Sequence, residues 1–396
     1  MIRNYFILIY CFSFSQSLLG QNWIQKANYP QHAAYCAGFA IDGYGYIGLG
    51  FNPFSNDTFY KYDTLQNNWT YVTTFPGSAR EMTVSFSING KGYVCTGSAG
   101  TKTKEFWEYD PITNTWIQKA DFGGGKRDNA VCTVINGKAY VGTGIDSGNF
   151  KKDFWEYDPL TDIWTPKSDF PGGERWCAVA FELNGKGYFG MGTDSSYNYY
   201  NDFWQYDPNN DSWIQVANFG GLARMRSCSF TLNNEAYVGT GRGTLQTLDD
   251  FWKYNDTTNS WTLIGTLGGI LRQYGVAFTI GNYGYVGTGA DIGAPYLNDF
   301  WQFDPYNISS NMEGQAENEY DLFPNPCRDK FMLHFPINLT NIDVMIYNSL
   351  GKRELFIENI SGNEIAIHCN NLSEGIYSLV IIKDCSIKYR DKFIIQ

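Results

Sequence analysis

The hexapeptide Phe154-Trp155-Glu156-Tyr157-Asp158-Pro159, with Trp164 seven residues beyond its tyrosine, returns along most of the chain. Copies stand at Phe106-Trp107-Glu108-Tyr109-Asp110-Pro111, Phe203-Trp204-Gln205-Tyr206-Asp207-Pro208, Phe251-Trp252-Lys253-Tyr254 and Phe300-Trp301-Gln302-Phe303-Asp304-Pro305, with a weaker one at Phe59-Tyr60-Lys61-Tyr62-Asp63. Counted from Phe59, the steps are 47, 48, 49, 48 and 49 residues. A period of this length belongs to solenoids, propellers or arrays, in which each unit covers a face its neighbour cannot hide alone. Trp69, Trp116, Trp164, Trp213 and Trp261 keep the same beat, whereas Trp23 stands apart near the start of the chain.

Each period parses into four short strands. In residues 127–170 the first runs from Asn129 to Ile135, and Asn136-Gly137 supplies a tight hairpin turn. The second covers Lys138 to Gly144 and ends in Gly-Thr-Gly. A variable loop leads to a third strand over Asp153–Tyr157, and the turn at Asp158-Pro159 leads to a fourth around Trp164. Sheets of this kind expose both faces unless they are stacked radially, which leaves only short edges. The paired glycines suit crowding near a central axis, and the tyrosines and tryptophans suit the space between neighbouring sheets.

A glycine pair ending the second strand, then Tyr, then Trp, resembles the kelch repeat over roughly residues 22–305, with Gly-Thr-Gly or Gly-Met-Gly in place of an adjacent glycine doublet. The resemblance implies an all-β kelch propeller. The last repeat stops at Phe303-Asp304-Pro305 without its Trp strand, and Asn22-Trp23-Ile24-Gln25-Lys26-Ala27 nearly copies Thr115-Trp116-Ile117-Gln118-Lys119-Ala120. The expectation is therefore six blades, the sixth completed by the N-terminal strand, with Trp23, Trp69, Trp116, Trp164, Trp213 and Trp261 as structural residues.

Flanking segments divide the rest. Arg3 and the apolar run from Tyr5 to Phe14, before a small residue at Gly20, read as a signal peptide over 1–20. The propeller is expected over 21–305, a polar linker over 306–319 and a small Ig-like β-sandwich over 320–396. In that last part Leu322-Phe323-Pro324-Asn325-Pro326, Val344-Met345-Ile346-Tyr347-Asn348-Ser349-Leu350-Gly351-Lys352 and Leu372-Ser373-Glu374-Gly375-Ile376-Tyr377, closing on Lys392-Phe393-Ile394-Ile395-Gln396, resemble the C-terminal sorting domain of the type IX secretion system. That resemblance implies secretion machinery as a partner and a secreted or outer-membrane-surface location. No other stretch approaches the ~20 apolar residues of a membrane span.

Forty Asp and Glu against 29 Lys and Arg give a net charge of −11, which disfavours nucleic acid and anionic lipid as partners. Eight cysteines follow the leader. Cys36, Cys95, Cys132, Cys177 and Cys228 read as small buried hydrophobes, and Cys327, Cys369 and Cys385 lie in the tail. Only His32 lies in the repeat region, with His334 and His368 beyond it, so neither a metal site nor a Ser-His-Asp triad is expected. No catalytic residue and no cofactor is assigned, and a monomer is expected.

Candidate ligand residues cluster where the loops after the second strands and the links between units meet. Arg80, Arg127, Arg175, Arg224 and Arg272 recur in phase, with Ala33 in the first unit. As a ring of guanidinium groups they suit a carboxylate or sulfate; alternatively, each ties unit to unit through carbonyls or a neighbouring Asp. Asp146, Asp194, Tyr197 and Trp176 add the aromatic and hydroxyl-pairing groups that sugars use. The function expected is a glycan- or protein-binding module, the alternative a sugar-active enzyme resembling the kelch sialic-acid mutarotases.

Overall fold

The computed structural model describes residues 22–293, 295–305, 320–348, 353–383 and 386–396. The leader expected over 1–20 and the linker expected over 306–319 lie outside them. The described chain is all β, and its contacts separate two compact units, Met1–Ser309 and Ser310–Gln396.

The first unit holds six four-stranded antiparallel sheets among its described residues. One sheet runs Val131–Ile135, Lys138–Gly142, Phe154–Asp158 and Ile163–Lys167 in spatial order. Asn136 and Gly137 have φ of 50° and 77°, as a turn joining right-twisted strands requires. The first strands of successive sheets touch one another in sequence, and Val276–Ile280 of the sixth also touches Ala37–Ile41 of the first. Within the sixth sheet, Phe300–Phe303 pairs antiparallel with Trp23–Lys26, in the register Trp23↔Phe303 and Lys26↔Phe300.

Aromatic side chains fill every seam between sheets. Trp164 packs on Phe106 of the preceding sheet at 5.3 Å between ring centroids, and Trp116 on Phe59 at 5.1 Å. Trp213 meets Phe154, Trp261 meets Phe203 and Trp69 meets Phe300 in the same way. Trp23 packs on Phe251 at 4.8 Å, so the strand from the start of the chain carries the sixth tryptophan into the sixth seam.

The two glycines of each Gly-x-Gly have different causes. The first lies opposite the Phe of the third strand in the same sheet; a Cβ on Gly48 would sit 2.4 Å from the Phe59 ring. The second has a φ near 90° (91° at Gly144), and a Cβ there would come 2.7 Å from the Asp128 carbonyl oxygen. Its N–H donates to the next sheet: Gly144 to the Arg175 carbonyl at 2.8 Å, and so on round to Gly289 and the Ala33 carbonyl.

The second unit is one five-stranded sheet. Lys330–Tyr347 pairs with Asp321–Phe323, Arg353–His368 and Gly375–Lys383, and Ser386–Ile395 pairs with the last of these. Its core includes Phe331, Leu333, Ile342, Val344, Ile367, Leu379 and Phe393.

Candidate functional site

The five in-phase arginines do not line a channel. Each is fully buried. Arg127 places Nη1 2.6 Å from Asp153 Oδ1 and Nη2 2.8 Å from Oδ2, donates to the Thr143 carbonyl at 2.9 Å, and lies over the Phe122 ring. Asp153 Oδ2 also accepts from Trp155 Nε1 at 2.8 Å. Arg175 with Asp202, Arg224 with Asp250 and Arg272 with Asp299 repeat the arrangement, and Arg80 pairs with Glu105. Of the two readings of these arginines, the geometry agrees with the tie through carbonyls and a neighbouring carboxylate. These side chains lock each link onto the sheet that follows it, because a guanidinium excluded from water has to be matched by a carboxylate and carbonyls.

A different ring occupies the mouth. Two residues after these five arginines, and after Ala33 in the first sheet, stand Met82, Asn129, Cys177, Arg226, Tyr274 and Tyr35. All six adopt left-handed backbone, with φ between 52° and 63°, which a non-glycine residue holds only when its surroundings demand it. The N–H of each donates to the carbonyl of the one before: Met82 to Tyr35, Asn129 to Met82, Cys177 to Asn129 and Arg226 to Cys177, each at 3.1 Å. Tyr274 to Arg226 at 3.2 Å and Tyr35 to Tyr274 at 3.3 Å close the circle.

The side chains of these residues contact one another around the circle, and they are unevenly charged. The rings of Tyr35 and Tyr274 lie 3.9 Å apart, and the Arg226 guanidinium lies 4.2 Å over Tyr274 and 5.7 Å from the Trp176 ring. Arg226 Nη1 donates to Gln273 Oε1 at 2.7 Å. Arg242, backbone-paired with Met225 next door, approaches from the loop after the second strand of the fifth sheet. Neither Arg226 nor Arg242 meets a carboxylate among the described residues, and the buried Nε of each finds no partner within the protein. Across the mouth, Asp128 accepts from Lys102 Nζ at 3.3 Å and from Asn129 Nδ2 at 3.0 Å. Burial, then the charge of Asp128, raises the Glu81 carboxyl above its ordinary range.

Of the loop residues expected at the site, Trp176 stands on this rim, half-buried, with Phe150 6.2 Å from it. Asp146 sits in a two-residue hairpin with Asn149–Phe150 and accepts from the Ser147 hydroxyl. Asp194 holds its own loop: it accepts from the N–H groups of Ser196 and Asn198, the Asn198 amide and the Tyr200 hydroxyl. Burial would raise its pKa, but these bonds take it down to about 2. Tyr197 is 64% exposed at the tip of that loop. His32 places Nδ1 2.7 Å from the Tyr296 carbonyl oxygen.

Sequence reasoning missed Arg226, Arg242, Tyr35 and Tyr274. The available signal was phase: Arg226 and Arg242 are the two arginines of the repeat region that do not keep its period.

Comparison with known proteins bears on the same regions. Residues 52–236 match the model of the KLHDC2/KLHL20/DRC7 Kelch-repeats domain. Residues 321–396 match the secretion system C-terminal sorting domain. No curated protein matches the chain. The solved structure of YjhT is similar, with a TM-score of 0.62 and 20% identity over 69% of this chain and 95% of that one. At that identity the likeness speaks to fold.

Proposed function

We propose that this chain, similar over residues 52–236 to a Kelch-repeats domain and over residues 321–396 to a secretion system C-terminal sorting domain, is an exported kelch-type propeller that binds an acidic glycan at the ring around Arg226. The sorting domain marks the chain for export, to the medium or the cell surface. The six sheets are read as six blades with Trp23–Lys26 completing the last, and the tail as a small Ig-like sandwich.

The observation that carries the reading is Arg226, without a carboxylate partner among the described residues and beside the rings of Trp176 and Tyr274, in a chain with an excess of eleven acids over bases. A guanidinium that lies over the rings of Tyr274 and Trp176 is oriented without being neutralised. It is therefore pre-set to take a carboxylate or sulfate through parallel N–H groups, while the rings stack on a sugar face.

A glycan array tests this with wild type, Arg226→Ala, Arg242→Ala and the exposed-loop control Tyr197→Ala. Signals for carboxylated or sulfated glycans should fall about tenfold or more in the arginine variants, the worth of one charge-assisted hydrogen bond. Equal signals in all four proteins would remove the arginines from the site. The enzyme reading rests on Glu81, whose raised carboxyl beside the same mouth has the character of a general acid. Mutarotation of an acidic sugar followed by NMR, in wild type and Glu81→Gln, separates turnover from binding.

A further inference from the structure

We infer that Cys327 and Cys369 join in a disulfide that staples the sorting domain as it folds after export. Both thiols are buried in one core cluster, at 3% and 1% exposure. They lie on adjoining pieces of backbone. The Cys369 N–H donates to the Asp329 carbonyl at 2.7 Å, two residues past Cys327, and Lys330 stands opposite His368 in the ladder. The two thiols are close enough for each to perturb the other's titration.

Compartment supplies the chemistry. A chain exported through an oxidising space meets protein disulfides of the thiol-exchange class, which the cytosol keeps reduced. One cysteine thiolate attacks such a disulfide, releases its first thiol and forms a mixed disulfide. The second cysteine then displaces the partner's other thiol. The two cysteines together lose two protons and two electrons, and the partner disulfide is reduced to two thiols. Timing follows from burial, which raises both thiols, Cys369 to about 12. In the folded domain neither forms thiolate readily, so the exchange has to precede the closing of the core.

The staple has a definite mechanical consequence. Cys327 is held by the last strand, its N–H donating to the Ile394 carbonyl and its carbonyl accepting from the Gln396 N–H. Linking it to Cys369 ties the beginning of this sheet, the end of the Arg353–His368 strand and the final strand at one point. The same fold with free thiols would hold that corner by core packing and hydrogen bonds, without a covalent tie.

The test uses the full chain, exported to an oxidising compartment, unfolded in iodoacetamide without reductant and mapped by peptide mass. The expected result is one linked pair, Cys327 with Cys369, that separates on reduction, while Cys385 and the five cysteines of the repeat region are alkylated. Alkylation of both Cys327 and Cys369 before reduction overturns the inference, as does a link from either to Cys385. A second measurement does not depend on yield of a variant: reductant should lower the melting temperature of the sorting domain by roughly 10 °C or more in the wild type. It should leave the Cys327→Ala/Cys369→Ala double variant unmoved. An unchanged wild type would count against the staple.

Discussion

At the scale of single residues, phase with the repeat divides the arginines by task. The in-phase five are buried and matched by Asp153, Asp202, Asp250, Asp299 or Glu105, and the two out of phase are left for other partners. The first sheet shows that the matched group behaves as a unit. It has Ala33, Thr58 and Tyr60 where the third has Arg127, Asp153 and Trp155, so guanidinium, carboxylate and indole donor are all absent together. Removing Arg127 leaves Asp153, a third exposed, without its cation and empties a buried site, and Arg127→Ala should therefore cost about 1–3 kcal/mol in urea unfolding. The triple variant Arg127→Ala/Asp153→Thr/Trp155→Tyr, which copies the first sheet, should recover a large part of that loss. Equal losses would mean that the charge pair is not the source of the cost. The period in the sequence placed these arginines at one depth but was silent on where each side chain turns. The carboxylate one step ahead of each Phe-Trp, keeping the same period, was the legible partner. The mouth residues Tyr35, Met82, Asn129, Cys177, Arg226 and Tyr274 escaped because no residue type repeats among them; what repeats is their left-handed backbone.

Strands of about five residues with few internal bonds are weak elements, so the seams between sheets have to supply much of their stability. Trp164 shows how. It packs on Phe106, Phe122 and Tyr157 and donates Nε1–H to the Ala120 carbonyl at 3.1 Å, so one side chain touches its own sheet, the preceding sheet and the link between them. Trp164→Ala should destabilise by about 3–5 kcal/mol, read as a shift of the urea midpoint with the slope unchanged. Trp164→Phe should lose less, because it keeps the stacking and gives up only the indole bond. Elements with a strong period or a turn signature were readable from sequence, as at Asn136-Gly137. The hairpin pairing Ile145–Asp146 with Asn149–Phe150 was not, since two-residue strands carry no alternation. In the tail, short strands were expected, but Lys330–Tyr347 runs for 18 residues, and irregularities in its pairing let it serve different neighbours along its length.

For the molecule as a whole, charge and closure decide how the repeat region comes apart. Glu105, Asp153 and Asp250 would be raised by burial, but hydrogen bonds and charge from Arg80, Arg127 and Arg224 hold them below their ordinary values. A folded pKa below the unfolded one contributes stability that is present above about pH 4 and lost as pH falls through the folded value. Glu81 and Asp249 are raised, by burial and then a neighbouring carboxylate, and act in the opposite sense. Since the lowered groups sit in the seams, the melting temperature should be level from about pH 7 to 5 and fall below about pH 4; a rise on acidification would contradict the seam assignment. The proposed closure rests on Trp23, since the last repeat lacks the strand that the chain start resembles. In the structure Trp23 is 7% exposed against Phe230, Phe251 and Phe303, and its strand pairs residue by residue with Phe300–Phe303. Deleting residues 22–26 uncovers those rings and leaves Phe300–Phe303 an unpaired edge, which favours association with other chains. The expected outcome is loss of the single unfolding transition, binding of a hydrophobic dye and aggregation on gel filtration. Trp23→Ala, which keeps the strand pairing, should cost about 3–5 kcal/mol but leave the protein monodisperse. A deletion variant that melts in one step at the wild-type temperature would mean that the seam between the fifth and sixth sheets does not hold the ring.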